Sequence, residues 1–253
     1  MSWGRHLPDF IKAPWRLLRD HRRARSPFWR RYSVPCPMVF VDLRFGINHE
    51  RKYVYIRMPK AANSSVVASL YASHTGRDPR DWNDVAEAKA GFLAQPGSLS
   101  AAGVDALEGY RIVTVVRDPV RRAISAYRNK IAGHRPQARL VQRALGRPAG
   151  AEISLEEFVG YLEGGGLMQD PHWMPQRHFI PVGFRMPELV GKVENLAADL
   201  PRILAALYPG SGRLADFRPH ATGAGSAAVE PALQARLAAL YAIDYEAFDY
   251  ARP

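Results

Sequence analysis

The sequence predicts an α/β fold: a single domain with a central, mostly parallel sheet flanked by helices. Three observations carry this. Short runs rich in β-branched and aromatic residues alternate with helical segments along the 253-residue chain. One of these runs, residues 112–116 (IVTVV), is continuously apolar, as a strand buried on both faces requires. Two strand ends also pass directly into helix starts, the corners at which α/β sheets hold ligands.

Taken in order, residues 38–43 (MVFVDL) and 53–56 (YVYI) read as strands. A helix is expected over 63–71, with Val66, Val67, Leu70 and Tyr71 at i, i+1, i+4 and i+5. Strand 112–116 leads into a helix that starts at Pro119 behind Asp118 as N-cap, with Ile124, Tyr127 and Ile131 on one face. Ser154 followed by Glu157 has the spacing of a capping box ahead of residues 158–162. Residues 189–193 are a candidate strand, 196–208 a helix with Pro201 near its start, and 231–248 a final helical region. The polar, basic stretch 133–150 and the Gly/Ala-rich stretch 211–226 read as loops.

Composition narrows the class. Hydrophobic residues make up 47% of the chain and charged residues 23%, which excludes a disordered polymer. The sequence has no apolar run of the ~18 residues a membrane helix needs and no secretory signal pattern. The single cysteine, Cys36, cannot form an internal disulfide or build a metal site alone, so a reducing, cytoplasmic setting is expected; the sequence shows no ligand cluster, so no metal is expected to be required. The net charge is +11, and much of it sits in residues 1–31, where nine arginines and lysines face only Asp9 and Asp20. That divides the chain into a basic N-terminal arm, 1–31, and a domain, 32–253. Ile11, Trp15 and Leu18 at helical spacing would suit the arm to peripheral contact with a membrane or an anionic polymer; a solvated tail is the alternative. A basic nucleic-acid- or polyanion-binding module is another possible class. No zinc finger, basic zipper or RNP-type element is present, so no nucleic-acid partner is expected.

The first corner spans residues 55–67. Lys60 lies in its turn, small Ala61 and Ala62 let backbone amides approach an anion, and Asn63, Ser64 and Ser65 open the helix. Unpaired N–H groups and the helix dipole make such a turn a phosphate or sulfate cradle. No Gly-x-x-x-x-Gly-Lys-Ser/Thr occurs, which counts against the alternative of a P-loop nucleotide kinase or hydrolase. The second corner spans 116–130. Arg117 ends a strand, and Ser125 lies one helical turn beyond Arg122, so a planar fork and a hydroxyl can share one phosphate.

Together these corners resemble the sulfotransferases that use 3′-phosphoadenosine 5′-phosphosulfate (PAPS). That family carries a Pro-Lys turn before a Ser/Thr-rich helix start, matched here by Pro59, Lys60, Ser64 and Ser65. It also carries Arg-Asp-Pro-x-x-Arg-x-x-Ser-x-Tyr, matched by Arg117, Asp118, Pro119, Arg122, Ser125 and Tyr127. A third stretch, Asp170-Pro-His-Trp-Met-Pro-Gln followed by Gly191-Lys-Val-Glu-Asn-Leu, is similar to the branch that sulfates chondroitin, dermatan and related carbohydrates. Where that branch often has Ala-Cys-Thr after the Pro-Lys, this chain has Ala62-Asn63-Ser64.

The resemblance implies a P-loop-like sulfotransferase fold and sulfuryl transfer from PAPS to a carbohydrate hydroxyl by in-line displacement. Lys60, Ala61, Ala62, Asn63, Ser64 and Ser65 would hold the 5′-phosphosulfate, with Lys60 stabilising the bridging oxygen. Arg117 and Ser125 would hold the 3′-phosphate, with Arg122 assisting. In Phe217-Arg-Pro-His-Ala-Thr-Gly, Arg218 and His220 fall in the loop that relatives close over the cofactor. Of the eight histidines, His172 is the candidate general base and substrate contact, and Trp173 beside it could stack on a sugar. His178, His220, Glu194 and Asp170 are the alternatives as base. His74 and His134 look like helix-end and loop residues.

Overall fold

Three parallel strands are joined by one antiparallel edge strand in the order β1-β2-β3-β4. In this computed structural model the residues described are 23–81, 83–85, 92–215 and 229–253. Arg218, His220 and residues 1–22 of the basic arm therefore lie outside the described residues. The strands are β1 (Phe45–Asn48), β2 (Tyr53–Arg57), β3 (Arg111–Val116) and β4 (Leu189–Lys192). β1 runs antiparallel to β2, while β2, β3 and β4 are parallel, with Arg57 opposite Val115 and Val116 opposite Lys192. The helices that follow the chain are α1 (Pro27–Arg31), α2 (Met38–Asp42), α3 (Asn63–Thr75), α4 (Ala101–Ala106), α5 (Pro119–Ala126), α6 (Pro136–Ala144), α7 (Leu155–Glu163), α8 (Leu196–Leu207), α9 (Pro231–Leu240) and α10 (Ala242–Ala247).

The pleat sorts the central strands into two cores, because successive side chains point to opposite faces. Tyr53, Tyr55, Val113 and Val115 face α3 and α8 and pack with Val67, Leu70, Ile203 and Leu204. Val54, Ile56, Ile112 and Val116 face the other way, onto Phe28, Phe45, Ile180 and Phe248. The one hydroxyl in the apolar β3 run, Thr114, is satisfied by donating from Oγ1 to the carbonyl of Ile56 at 2.8 Å. A third cluster lies under α5, α7 and α9, around Phe158, Trp173 and Tyr241.

Most expected elements form. Asp118 accepts from the Arg121 N–H as N-cap, and Ser154 and Glu157 make a reciprocal capping box. Three readings need correction. Residues 38–42 form a helix, not a strand. Its β-branched composition is overridden by tertiary contacts on Asp42, whose buried carboxylate accepts from Trp29 Nε1, Arg23 Nε and the Gly97 N–H. The strand at this end is instead β1, which begins three residues after that helix ends. Residues 136–144, read as loop, are helix α6, because Ala138, Val141 and Gln142 bury one narrow stripe of an otherwise basic segment. Finally, α1 belongs to the domain and not to the arm: Phe28 is fully buried and packs on Phe45 and Phe184. Among the described residues no helix is long and apolar enough to cross a membrane.

Candidate active site

The carboxyl ends of β2 and β3 lie side by side in the middle of the sheet, and each opens into one of the two corners. After β2 the chain turns through Lys60 and Ala62, both left-handed at φ 68° and 51°, before α3 begins. Non-glycine residues held there cost about 1 kcal/mol or more each, strain that clusters where a backbone is shaped for a ligand. Ala62 offers no side chain to cap α3, and no acidic residue occupies its first turn. The leading N–H groups of a thirteen-residue helix are thus left for an anion. Ser64 and Ser65 are half-buried at this end, and their hydroxyls have no hydrogen-bond partner among the described residues. Ala61 is fully buried under the turn.

The Lys60 ammonium is half-buried, and burial first, then the neighbouring charges of Lys130, Arg117 and Arg122, pull its pKa down to about 8. A cation so disfavoured is one that an incoming dianion would stabilise.

The second corner meets the first directly. Arg117 Nη1 donates to the carbonyl of Lys60 at 3.4 Å. Arg117 Nε is buried without a hydrogen-bond partner among the described residues. An unmatched donor of a guanidinium, beside a cationic turn, suits an anionic oxygen such as that of a phosphate. Ser125 sits on the adjacent turn of α5, half-buried and with its hydroxyl unpartnered among the described residues.

Arg122 does something other than the ligand contact expected of it. Its side chain is completely buried, and its Nε, Nη1 and Nη2 donate to the carbonyls of Pro59, Met174 and Pro171 at 2.8, 2.8 and 3.2 Å. One planar fork therefore fastens the Lys60 turn to the loop that carries His172. With its guanidinium spent on backbone carbonyls, it builds the cleft from behind and does not face a ligand.

His172 lies on that loop. Asp170 Oδ1 accepts from the His172 backbone N–H at 2.8 Å and faces Nδ1 at 2.6 Å. An oxygen already accepting from an N–H leaves Nδ1 to carry the ring proton, so Nε2 presents a lone pair. Burial lowers the His172 pKa, with the Asp170 hydrogen bond acting in the opposite direction. The lowered pKa favours the neutral ring, the form a base needs.

Trp173 corrects a second expectation. It is fully buried, its Nε1 donates to the Gly166 carbonyl at 3.0 Å, and its ring meets Phe158 and Tyr161 edge-on. It is a core residue with no face left for a sugar. Of the alternative bases, Asp170 is engaged by His172 itself, and His220 lies outside the described residues. Glu194 accepts from the Asp118 N–H and the Tyr250 hydroxyl on the rim. His74 stacks on Phe92 near the far end of α3, and His134 is exposed in the turn before α6. His178 is half-buried on the Gln176–Phe179 turn, where burial lowers its pKa.

Two cations were not anticipated. α5 continues into a single π-helical turn, Tyr127–Ile131, which carries Lys130. Such turns recur at functional sites because they re-aim a side chain. Lys130 is the largest charge acting on Lys60 and also acts on His172, while Asp170 acts on Lys130. Arg44, just before β1, acts on His172 and Lys130 as well. Lys130 closes the 116–130 span with no role read for it, and no periodicity rule foretells a π turn. Arg44 had no signal, since β1 itself went unread. The cleft is thus strongly cationic around one carboxylate–imidazole pair.

Against known proteins, the sequence profile described as the Sulfotransferase family matches residues 43–251. The chain belongs to this family. The match takes in both corners, the His172 loop and the C-terminal helices of this sulfotransferase-family domain. Carbohydrate sulfotransferase 14 of Mus musculus is 35% identical over 112 residues, covering 39% of this chain and 29% of the relative. The Homo sapiens protein of the same name is 34% identical with the same coverage. The match therefore spans under a third of those relatives' length. A solved sulfotransferase from Alicyclobacillus acidocaldarius overlaps 86% of this chain and 91% of its own at 18% identity, with a TM-score of 0.36.

Proposed function

We propose that this sulfotransferase-family chain moves a sulfuryl group from PAPS to a hydroxyl of a carbohydrate. The observation that carries the donor is the meeting of two anion-seeking corners, Lys60 with the uncapped α3 on one side and the unpartnered Arg117 Nε on the other. A molecule with phosphates at both ends of a nucleoside suits that pair. When bound, PAPS supplies a sulfuryl group already joined to a phosphate leaving group. The residues of the chain do the rest. The α3 amides, Ser64 and Ser65 hold the 5′ end, and Arg117 and Ser125 hold the 3′-phosphate. Lys60 sets its charge where the bridging oxygen becomes negative as the sulfur–oxygen bond to phosphate breaks. His172 Nε2 takes the proton of the acceptor hydroxyl as the new oxygen–sulfur bond forms, and Asp170 holds the imidazole in the tautomer that can do so. The carbohydrate acceptor is supported by the names of the relatives, and a cationic cleft suits an acceptor that carries negative charge.

Transfer of radiolabelled sulfuryl from PAPS to a panel of glycans, glycolipids and small alcohols tests both halves. Label on glycans alone is expected; label on simple alcohols and on no glycan would overturn the acceptor assignment. On the glycan found, His172→Asn should lower kcat by about 10²- to 10⁴-fold, as removal of a general base does. In the wild type, kcat/KM should rise with pH through a limb below the ordinary histidine value of ~6.5, since the His172 pKa is lowered. It should fall again as Lys60 loses its proton near pH 8. The asparagine variant should lose the acidic limb and keep the alkaline one. If the acidic limb survives in His172→Asn, another group is the base.

A further inference from the structure

The peptide group of Arg117 lies just past the last paired residue of β3, and a side chain continues the pairing there. Gln176 is fully buried. Its Oε1 accepts from the Arg117 N–H at 3.0 Å and its Nε2 donates to the Arg117 carbonyl at 2.8 Å. The two bonds together reproduce what a neighbouring strand would give. Gln176 is held in turn by Asp244 on α10, also fully buried. Asp244 Oδ2 accepts from the Gln176 N–H at 2.8 Å and from Nε2 at 3.5 Å, while Oδ1 accepts from the Arg177 N–H at 2.8 Å.

The position demands an amide. It must accept from one N–H and donate to one carbonyl through two separate atoms, which an ionised carboxylate, a methyl or a single hydroxyl oxygen does not supply. The chain of contacts runs from α10 through Gln176 to the residue whose guanidinium points at the Lys60 turn.

We infer that Gln176, anchored by Asp244, is the positioning residue that aims Arg117, and thereby sets how strongly the site distinguishes a nucleotide with a 3′-phosphate from one without. This rests on the donor reading above. Gln176 touches no ligand in this account. Its effect passes through the direction in which the Arg117 side chain leaves a fixed peptide, and misplacing a charged donor by an ångström is enough to lose its bond.

The test is calorimetric titration of the full chain with adenosine 3′,5′-bisphosphate (PAP) and with 5′-AMP, which differ only in the 3′-phosphate. The wild type should prefer PAP. Gln176→Met, which keeps the side-chain length and removes both bonds, should lower the affinity for PAP by about tenfold or more, the scale of one charge-assisted bond. It should leave the affinity for 5′-AMP unchanged. In an Arg117→Ala background the same substitution should change neither. Unaltered circular dichroism checks the fold. Should Gln176→Met not fold, Gln176→Asn, an amide one methylene too short, is titrated in its place and read in the same way. A variant that keeps the wild-type PAP preference, or that weakens both nucleotides equally, overturns the inference while the donor reading stands. A wild type that does not prefer PAP removes the donor reading itself, and the inference with it.

Discussion

Lys60→Ala is expected to reduce kcat for sulfuryl transfer by about 10²- to 10³-fold, the loss of ~2.7–4 kcal/mol seen when one donor aimed at a developing oxyanion is removed. The size follows from where the ammonium sits. It is half-buried, its charge is already disfavoured by burial and by Lys130 and Arg117, and its pKa is drawn down to about 8. Charge held in so poorly solvated a place interacts strongly with negative charge that appears beside it. Because that charge appears on the bridging oxygen only as the bond breaks, kcat should fall much further than PAP affinity. Residue 60 is left-handed, a conformation alanine also disfavours. Lys60→Met, which retains the aliphatic stem, is the companion variant, and it should show the same split. A variant that loses PAP binding in proportion to kcat would make Lys60 a ground-state anchor and no more.

Arg122→Met is expected to act on stability instead, lowering the free energy of unfolding by about 3–5 kcal/mol, as when one partner of a buried charged network is removed. Its three bonds to Pro59, Met174 and Pro171 go at once, leaving those carbonyls without the donor that holds the two loops together. Asp244 also loses a compensating charge: burial already raises its pKa, and Arg122 is the first influence opposing that rise. Urea unfolding measures the loss. The same experiment separates the two roles the sequence allows. An arginine that gripped the 3′-phosphate would leave the unfolding midpoint in place and weaken PAP alone.

What the sequence could convey depended on whether local chemistry or packing decided each feature. The corners were legible because helix starts announce themselves: Asp118-Pro119 and Ser154-x-x-Glu157 cap as spaced, and Pro59-Lys60 precedes an uncapped helix. The β3 strand was legible because five β-branched residues in a row, four of them apolar, fit a strand buried on both faces. Arg122 and Trp173 were assigned to ligands because a motif gives residue types without their depth. Only the packed structure shows that one guanidinium is spent on three carbonyls and that one indole is enclosed by Phe158 and Tyr161. The helix at residues 38–42 was misread since five residues carry too little periodicity, and the contacts that set it come from Arg23, Trp29 and Gly97, up to 55 positions away. Gln176 was visible in the motif as a letter. Its role depends on the Arg117 peptide 59 residues earlier, which no local pattern encodes.

The central claim is that one nucleotide spans both corners. A crystal structure of the chain with PAP tests it most directly. The account predicts the 5′-phosphate against the N–H groups of Asn63, Ser64 and Ser65 with the Lys60 ammonium beside it, and the 3′-phosphate on Arg117 and Ser125. PAP bound elsewhere on the domain, with neither phosphate reaching Lys60 or Arg117, would contradict it.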